Sequence, residues 1–205
     1  MLLNVETQVA ECVGSLDSGI AFMAWSPDFE IVVLLTCQNS VVLMTQEWET
    51  ITEDELYHGS DDTNSSSGKN AAEATTDAWV TWRGDGQFFA CSSIDPTTQR
   101  RSMHVFQRDG SRHSDAGQLA IALTRPIAWR PSGNLIAAVK TPPHYHRHEV
   151  VFFERNGLQH GEFELPSSDQ VLALEWNSES DILALLVRSV EVRLAHASHV
   201  DVTPD

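Results

Sequence analysis

Four tryptophans at a nearly regular spacing constrain the fold of this chain more than any other sequence feature. They are Trp25, Trp82, Trp129 and Trp176, and the intervals between them are 57, 47 and 47 residues. An apolar residue stands two positions before each tryptophan, and an apolar run begins six positions after it. Four copies in the same phase indicate a repeat protein, in which each copy forms one structural unit.

Each copy is predicted to form β-strands. Its apolar runs are short, rich in β-branched and aromatic residues, and bounded by turn-forming residues. A tight hairpin is predicted directly after each tryptophan, where the sequences are SPDF, RGDG, RPSG and NSES. Third strands are predicted at SVVLMT (40–45), SMHVFQ (102–107), EVVFFE (149–154) and, more weakly, VEVRLA (190–195).

A fourth strand completes the predicted unit. Asp109–Gly110 and Asn156–Gly157 follow two of the third strands, and such pairs predict two-residue hairpin turns. The turns lead into the polar segments SRHSDAG (111–117) and LQHGEFEL (158–165). A four-stranded antiparallel unit repeated at about 45 residues is typical of a propeller blade. The predicted fold class is therefore all-β, a WD40-type β-propeller, although the Trp-Asp and Gly-His pairs of WD40 repeats are missing.

The two ends of the sequence predict a partial propeller. MLLNVE (1–6) resembles a third strand and TQVAECVGSL (7–16) a fourth, so the count is about three full blades with a part-blade at each end. The propeller segment is predicted over 1–195 and a polar tail over 196–205. Residues 52–77 are acidic and rich in Ser, Thr and Asn, which predicts a disordered loop between blades. The alternative is a small closed ring in which the terminal half-blades pair with each other.

The net charge of the chain limits the classes of partner that it is expected to bind. The formal net charge is -16, with 29 acidic against 13 basic residues, which argues against direct binding to nucleic acid or to an anionic membrane. No apolar run approaches the roughly 18 residues that would cross a bilayer.

The three cysteines, Cys12, Cys37 and Cys91, form no CxxC pair, and buried free thiols fit a reducing compartment. We expect a cytoplasmic chain, and the nucleus is the second compartment that fits.

A histidine cluster is the only sequence motif that suggests a metal. His144, His146 and His148 alternate, with Glu149 beside them, and alternate residues of a strand share one face. However, stable sites usually draw their ligands from separate elements, and Pro142–Pro143 indicates a loop. The favoured interpretation is an exposed loop between two strands.

No enzyme motif occurs, and no catalytic, cofactor-binding or metal-binding residue is assigned. Paired carboxylates capable of glycoside hydrolysis are plentiful, but they lie in the polar segment or on an outer strand. These are Asp61–Asp62, Glu53–Glu55, Glu162 and Glu164. The repeated tryptophans are interpreted as packing residues and not as a stacking platform for sugars or bases.

Several segments resemble a known family. MAWSPDFEIVVLLT, VTWRGDGQFFA, IAWRPSGNLIA, VVFFERNGLQHGEFEL and LEWNSESDILAL are similar, in order, to the N-terminal propeller of the largest Elongator subunit. The resemblance covers most of residues 11–185, and WRGDGQFFA and FFERNGLQHG are its most specific stretches. HGSDDTNSSSGKNAA (58–72) resembles a family motif with extra residues inserted.

The resemblance implies a scaffold, with tandem propellers followed by a helical-repeat region that dimerises. Elongator modifies wobble uridines of transfer RNA, and its chemistry belongs to a separate radical-SAM/acetyltransferase subunit. We therefore expect a non-catalytic interaction module without a cofactor, whose partners are the other Elongator subunits, the catalytic one included. The alternative is a generic propeller adaptor, unrelated to Elongator, that binds peptides at the central face or at an exposed strand edge.

Overall fold

The computed structural model describes residues 2–57, 77–116, 123–141, 147–166 and 170–188. Within these ranges all regular structure is β: sixteen strands form three four-stranded and two two-stranded antiparallel sheets. No helix in this part of the chain is long and apolar enough to cross a membrane. The predicted all-β class is confirmed, and so are three full blades with a part-blade at each end. The predicted polar tail lies outside the described residues.

The first sheet is a short part-blade. Its strands are β1 (Leu2–Leu3) and β2 (Ala10–Glu11), and they pair antiparallel with Leu2 opposite Glu11. This pairing matches the predicted relation between a third and a fourth strand. The first sheet is therefore the outer half of a blade.

The first complete blade consists of four strands in sequential order. They are β3 (Ile20–Trp25), β4 (Ile31–Thr36), β5 (Ser40–Thr45) and β6 (Thr50–Glu55). The two middle strands are mostly buried, whereas β6 alternates between exposed and partly buried residues at the outer edge. A strand covered on both faces carries a continuous apolar run, which explains the IVVLLT sequence of β4.

The second blade repeats this arrangement. Its strands are β7 (Trp79–Trp82), β8 (Phe88–Ile94), β9 (Arg101–Gln107) and β10 (Arg112–Ala116). The predicted third and fourth strands of this copy are both present. The middle strands β8 and β9 are again almost entirely buried.

The third blade is the last complete one. Its strands are β11 (Leu123–Trp129), β12 (Leu135–Lys140), β13 (Glu149–Glu154) and β14 (Gln159–Glu164). A register shift interrupts the pairing of β13 with β14 next to Phe153. The strand pattern is the one that the sequence predicts.

A hairpin of two strands follows the third blade. It is formed by β15 (Gln170–Trp176) and β16 (Leu183–Arg188). The third strand predicted at 190–195 lies outside the described residues.

The first strands of neighbouring blades contact one another, so β3, β7, β11 and β15 form the inner wall of the arc. Alternate residues of a strand then face opposite neighbours. Phe89 and Cys91 pack in the cluster shared with the first blade, whereas Ala90 packs in the cluster shared with the third. A third cluster, which includes Ala137 and Leu174, joins the third blade to the hairpin. Burial between blades therefore supplies the cores.

The turn after each tryptophan has a left-handed residue at the same position in all four copies. The fourth residue after the tryptophan has a positive φ: 62° at Phe29, 67° at Gly86, 95° at Gly133 and 64° at Ser180. In the first copy the amide of Phe29 donates to the carbonyl of Ser26 at 2.9 Å, which closes a β-turn. The predicted tight hairpins are thus confirmed, with a left-handed residue at a fixed position.

The turns between third and fourth strands differ from the prediction. The amide of Gln107 donates to the carbonyl of Ser111 at 2.8 Å, so Arg108–Gly110 form a three-residue loop, and the same pattern closes 155–157. Only the glycine of each predicted pair has a positive φ, whereas a type I′ turn requires it at both central residues. The predicted two-residue turn is therefore wrong, and each loop ends in a left-handed glycine.

The predicted disordered loop at 52–77 is too wide. Residues 52–55 belong to strand β6, and Tyr57 lies against the second blade. Asp77 pairs with Arg101. An acidic, Thr-rich composition predicts disorder, but a propeller's outer strand faces solvent and is polar for that reason. The stretch 58–76 lies outside the described residues.

Candidate protein-interaction site

Two of the repeated tryptophans join neighbouring blades through their indole groups. The indole Nε1 of Trp82 donates to the carbonyl of Ala24 at 3.3 Å, and that of Trp176 donates to the carbonyl of Ala128 at 3.2 Å. Both acceptors stand directly before the tryptophan of the preceding blade. In the third blade, the indole of Trp129 donates instead to Gly133 of its own turn, at 3.4 Å. The indoles of Trp82 and Trp176 therefore hold neighbouring blades together, which agrees with their interpretation as packing residues.

The arginine that follows two of the tryptophans reaches in the other direction. Arg83 donates to the side-chain oxygen of Asn134 in the next blade at 2.9 Å. Arg130 donates through Nε to the carbonyl of Ser180 at 2.7 Å, again in the next blade. The repeated Trp-Arg pair therefore connects one blade to both of its neighbours.

A polar network lies between the first and second blades. The Tyr57 hydroxyl is 2.7 Å from Oγ of Ser102, which is 2.9 Å from Nε2 of His104. Arg112 donates to Nδ1 of His104 at 2.5 Å and to the carbonyl of Leu56 at 3.0 Å. A guanidinium only donates, so Nδ1 accepts, and the neutral ring donates from Nε2 to the serine. Burial raises the pKa of Tyr57, which keeps its hydroxyl protonated.

Among the described residues, no group of three His, Cys, Asp or Glu side chains converges where it could hold a metal ion. Nδ1 of His148 lies 2.7 Å from the Thr141 hydroxyl, and Glu149 lies 2.8 Å from the Lys140 ammonium. His144 and His146 lie outside the described residues.

The acidic pairs lie on outer strands or outside the described residues. Glu162 accepts from Lys140 at 3.0 Å, and Glu164 accepts from Arg147 at 3.1 Å, both on β14. The hydrogen bond from Lys140 lowers the pKa of Glu162, so this group is ionised at neutral pH. Glu53–Glu55 lie on β6, and Asp61–Asp62 lie in the 58–76 stretch.

A cavity of about 690 Å³ opens where the inner strands begin. We call it the arginine pocket, since four arginines from three segments of the chain line it together with Asp77 and His148. These are Arg100, Arg101, Arg125 and Arg188. The sequence did not reveal this group because its members are up to 88 residues apart and only the blade arrangement brings them together. The sequence shows only that each of these arginines lies near one end of a predicted strand, and strand ends of neighbouring blades meet on one face.

The two ends of the arc expose apolar side chains. Met23 of β3 and Leu186 of β16 are 45% and 61% exposed, and Ile20 and Ile182 are also exposed. Met23 and Leu186 alternate with residues that pack toward the neighbouring blade, so they lie on faces turned away from it. Such faces are where a propeller segment contacts further protein.

The radial sheets, inner-strand contacts and blade interfaces define a β-propeller segment of the WD40 type. Two solved structures share this fold. They are described as "Structure of U3-55K" (TM-score 0.55, 10% identity, 80% of this chain and 44% of that one) and "Crystal structure of RRP9 WD40 repeats" (TM-score 0.56, 11% identity, 80% and 43%). At this identity the likeness shows the fold alone.

The sequence comparisons identify the family. The family model "ELP1 first N-terminal beta-propeller" matches residues 1–71 and 58–199, and the chain belongs to that family. Elongator complex protein 1 of Rattus norvegicus is 37% identical over 135 residues, which cover 53% of this chain and 10% of the relative. The Drosophila melanogaster protein of the same name is 32% identical over 133 residues, covering 51% and 10%. The chain therefore spans about one tenth of the length of these relatives.

Family membership confirms the resemblance that the sequence segments indicated. It favours a segment of the largest Elongator subunit over an adaptor unrelated to Elongator. It also supports membership in a multi-subunit complex.

Proposed function

We propose that this chain is a non-catalytic scaffold segment of the Elongator complex that supports the modification of wobble uridines in transfer RNA through protein–protein contacts. The observation that carries the proposal is the family match, which extends over residues 1–71 and 58–199. The partners are other Elongator subunits, the radical-SAM/acetyltransferase subunit among them. The proposed location is the cytoplasm, and the nucleus is the second compartment.

The chemistry of the described residues supports a scaffold role. Contacts between blades engage the indoles of Trp82 and Trp176. They also engage Tyr57, His104 and Arg130, which is the use expected of polar groups in a rigid support. The net charge of -16 opposes direct binding of a transfer RNA, which is itself a polyanion. Contact with RNA is therefore left to other subunits.

The arc provides surfaces for such contacts at its two ends. The exposed side chains of Met23 and Leu186 lie where the next blade of a closed propeller would pack. A surface of this kind is stabilised when another protein segment covers it.

Affinity capture tests this proposal. The tagged 205-residue chain is expressed in its own cells, and the proteins that co-purify at moderate salt are identified by mass spectrometry. We expect the Elongator subunits to be enriched over a tagged, unrelated propeller of similar charge. Recovery of chaperones alone would contradict an independent scaffold function for this chain.

A pair of variants makes the capture specific. Met23→Glu combined with Leu186→Glu places charges on the end faces without touching the blade interfaces, and we expect it to reduce the recovery of Elongator subunits. Leu158→Glu is the matched control, because Leu158 is 60% exposed in a turn on the outer side of the third blade. Equal losses in both variants would argue against contact through the end faces.

A further inference from the structure

We propose that the arginine pocket binds an anionic peptide segment of a partner protein, with Arg100, Arg125 and Arg188 contacting its phosphoryl or carboxylate groups. The inference deepens the proposed scaffold role, on which it rests, by assigning the chemistry of one partner. Charge, preorganisation and the lining of the cavity support it.

The charge of the pocket is opposite to that of the chain. Four of the 13 basic residues line this one cavity, and Asp77 is the single acidic residue among the described side chains of its lining. The surrounding chain carries 29 acidic residues, so a random distribution would place more carboxylates than guanidinium groups here. A local reversal of this kind attracts an anionic ligand and disfavours a cationic one.

Asp77 preorganises two of the arginines. Its carboxylate pairs with Arg101 and accepts from Nε of Arg125 at 2.8 Å. Arg101 also donates to the carbonyl of Asp77 at 3.1 Å and to Oγ of Ser92 at 3.4 Å, and its side chain is only 4% exposed. Buried Arg101 therefore anchors Asp77, and Asp77 holds Arg125, whose side chain remains 53% exposed toward the cavity. A preorganised guanidinium loses less entropy when it binds an anion.

The other two arginines carry charge that the described residues do not neutralise. Arg100 and Arg188 are exposed, and neither forms a salt bridge with any residue that the structure describes. Among the lining residues that the structure describes, one carboxylate faces four guanidinium groups, which gives this part of the cavity an excess of positive charge. Planar guanidinium groups bind phosphoryl and carboxylate groups through paired hydrogen bonds.

The lining favours a peptide over a nucleic acid. Ile94, Leu123, Pro126 and Val171 contribute apolar surface between the arginines. A cavity of about 690 Å³ has the size of a site for a short ligand segment, whereas single-stranded nucleic acid is bound along an extended basic groove with aromatic platforms. A short peptide supplies both aliphatic side chains for this surface and anionic groups for the guanidiniums.

Peptide binding to the full 205-residue chain tests the inference. Three fluorescein-labelled probes of equal length are compared by fluorescence anisotropy: one with three Glu residues, one with a phosphothreonine and one Glu, and one in which Gln replaces every Glu. We expect both anionic probes to bind at least tenfold more tightly than the Gln probe. Tighter binding of the phosphorylated probe would identify a phosphoryl ligand, and equal binding a carboxylate ligand; either result supports the proposal.

The variant Arg100→Glu/Arg188→Glu assigns binding to the pocket. It reverses the charge of the two arginines that form no salt bridge with a described residue. We expect at least a tenfold loss of affinity for the anionic probes. Arg147→Glu is the matched control, since Arg147 is also exposed but lies outside the pocket, and we expect its effect to stay within twofold. If the double variant fails to fold, as shown by circular dichroism, Arg100→Gln/Arg188→Gln replaces it with the same expectation of weaker binding.

Three results would overturn the inference. They are the absence of binding by all three probes, equal binding of the Gln probe, and tighter binding by a single-stranded oligonucleotide of equal charge that the double variant abolishes. The capture experiment measures association with Elongator subunits and does not depend on the peptide probes. Loss of peptide binding with intact capture would therefore reject the pocket alone, and loss of capture with intact binding would reject the scaffold role.

Discussion

The residue four positions after each repeated tryptophan has a left-handed backbone, a conformation that residues with a side chain rarely adopt. Gly133 has a φ of 95°, and no atom lies within 4 Å of the position that a β-carbon would take, so a substitution meets strain and no clash. We expect Gly133→Ala to lower the free energy of unfolding by about 1 kcal/mol. Urea denaturation followed by circular dichroism measures this change, and an unchanged stability would contradict the assigned φ.

Phe29 provides the reverse substitution at the equivalent position. Its φ is 62° and it is 69% exposed, so its ring contributes little packing. We expect Phe29→Gly to raise the free energy of unfolding by about 0.5 kcal/mol, since the relief of strain exceeds the added entropy of the unfolded chain. The same denaturation measures it, with Phe29→Ala as the control that keeps the β-carbon and should bring no gain.

The three thiols differ sharply in environment. Cys91 is fully buried, and burial raises the pKa of its thiol far above the ordinary value, whereas Cys12 is exposed. A thiolate is the reactive form, so a raised pKa suppresses reaction until the pH approaches it. At about pH 8 we expect iodoacetamide to label Cys12 rapidly and Cys91 only on unfolding, as read by peptide mass spectrometry. Labelling in urea is the control, where all three should react alike; fast native labelling of Cys91 would contradict its burial between blades.

At the scale of the blade, the strands were predictable and their connections less so. Period, turn residues and β-branched runs are local signals, and they place β4, β8 and β12 at their observed starts. Turn length depends on how one strand twists against the next, which the local sequence does not show. The pair Asn156–Gly157 therefore did not reveal that the loop contains a third residue. The polar strand β6 was assigned to a loop because solvent exposure gives an outer strand and a loop the same composition.

The arginine pocket could not be predicted from sequence for a related reason. Its arginines come from the second blade, the third blade and the hairpin, and only Arg100 and Arg101 are neighbours in the sequence. Only the angle between blades brings them to one cavity. The loop interpretation of the histidines stays a prediction, since His144 and His146 lie outside the described residues; the described partners of His148 and Glu149 are Thr141 and Lys140.

Arg130 links the third blade to the hairpin, and its removal tests that link. Its Nε donates to the Ser180 carbonyl at 2.7 Å, and its guanidinium lies 5.7 Å from the Trp176 ring. We expect Arg130→Met to cost about 1.5–3 kcal/mol locally, the range for a hydrogen bond from a charged donor. Hydrogen exchange should then accelerate in β15 and β16 and stay unchanged in β3–β6.

Arg147→Met is the control for this prediction. Arg147 is in the same blade and makes an exposed ion pair with Glu164, which contributes little to stability. Its exchange pattern should match that of the unmodified chain. Uniform acceleration in the Arg130 variant would show that the blades unfold as one unit and not successively.

For the whole molecule, the exposed end faces and the net charge act in opposite directions. Met23 and Leu186 favour association through apolar contact, while a charge of -16 makes copies of the chain repel one another. We expect the chain to self-associate, and more strongly as salt rises from about 0.05 to about 0.5 M, because screening weakens the repulsion and leaves apolar burial intact. Sedimentation velocity over this range measures the change.

The end-face variant Met23→Glu/Leu186→Glu separates the two contributions. It removes apolar contact surface and adds negative charge, so we expect a monomer at low salt and weaker association at about 0.5 M. Leu158→Glu adds charge in an outer turn and should leave the salt dependence nearly unchanged. If the control suppressed association equally, charge alone would govern it, and the end faces would not be the contact surface. Association that survives only with the end faces intact would mean that the arc is completed by protein packed against its terminal blades, as a scaffold segment requires.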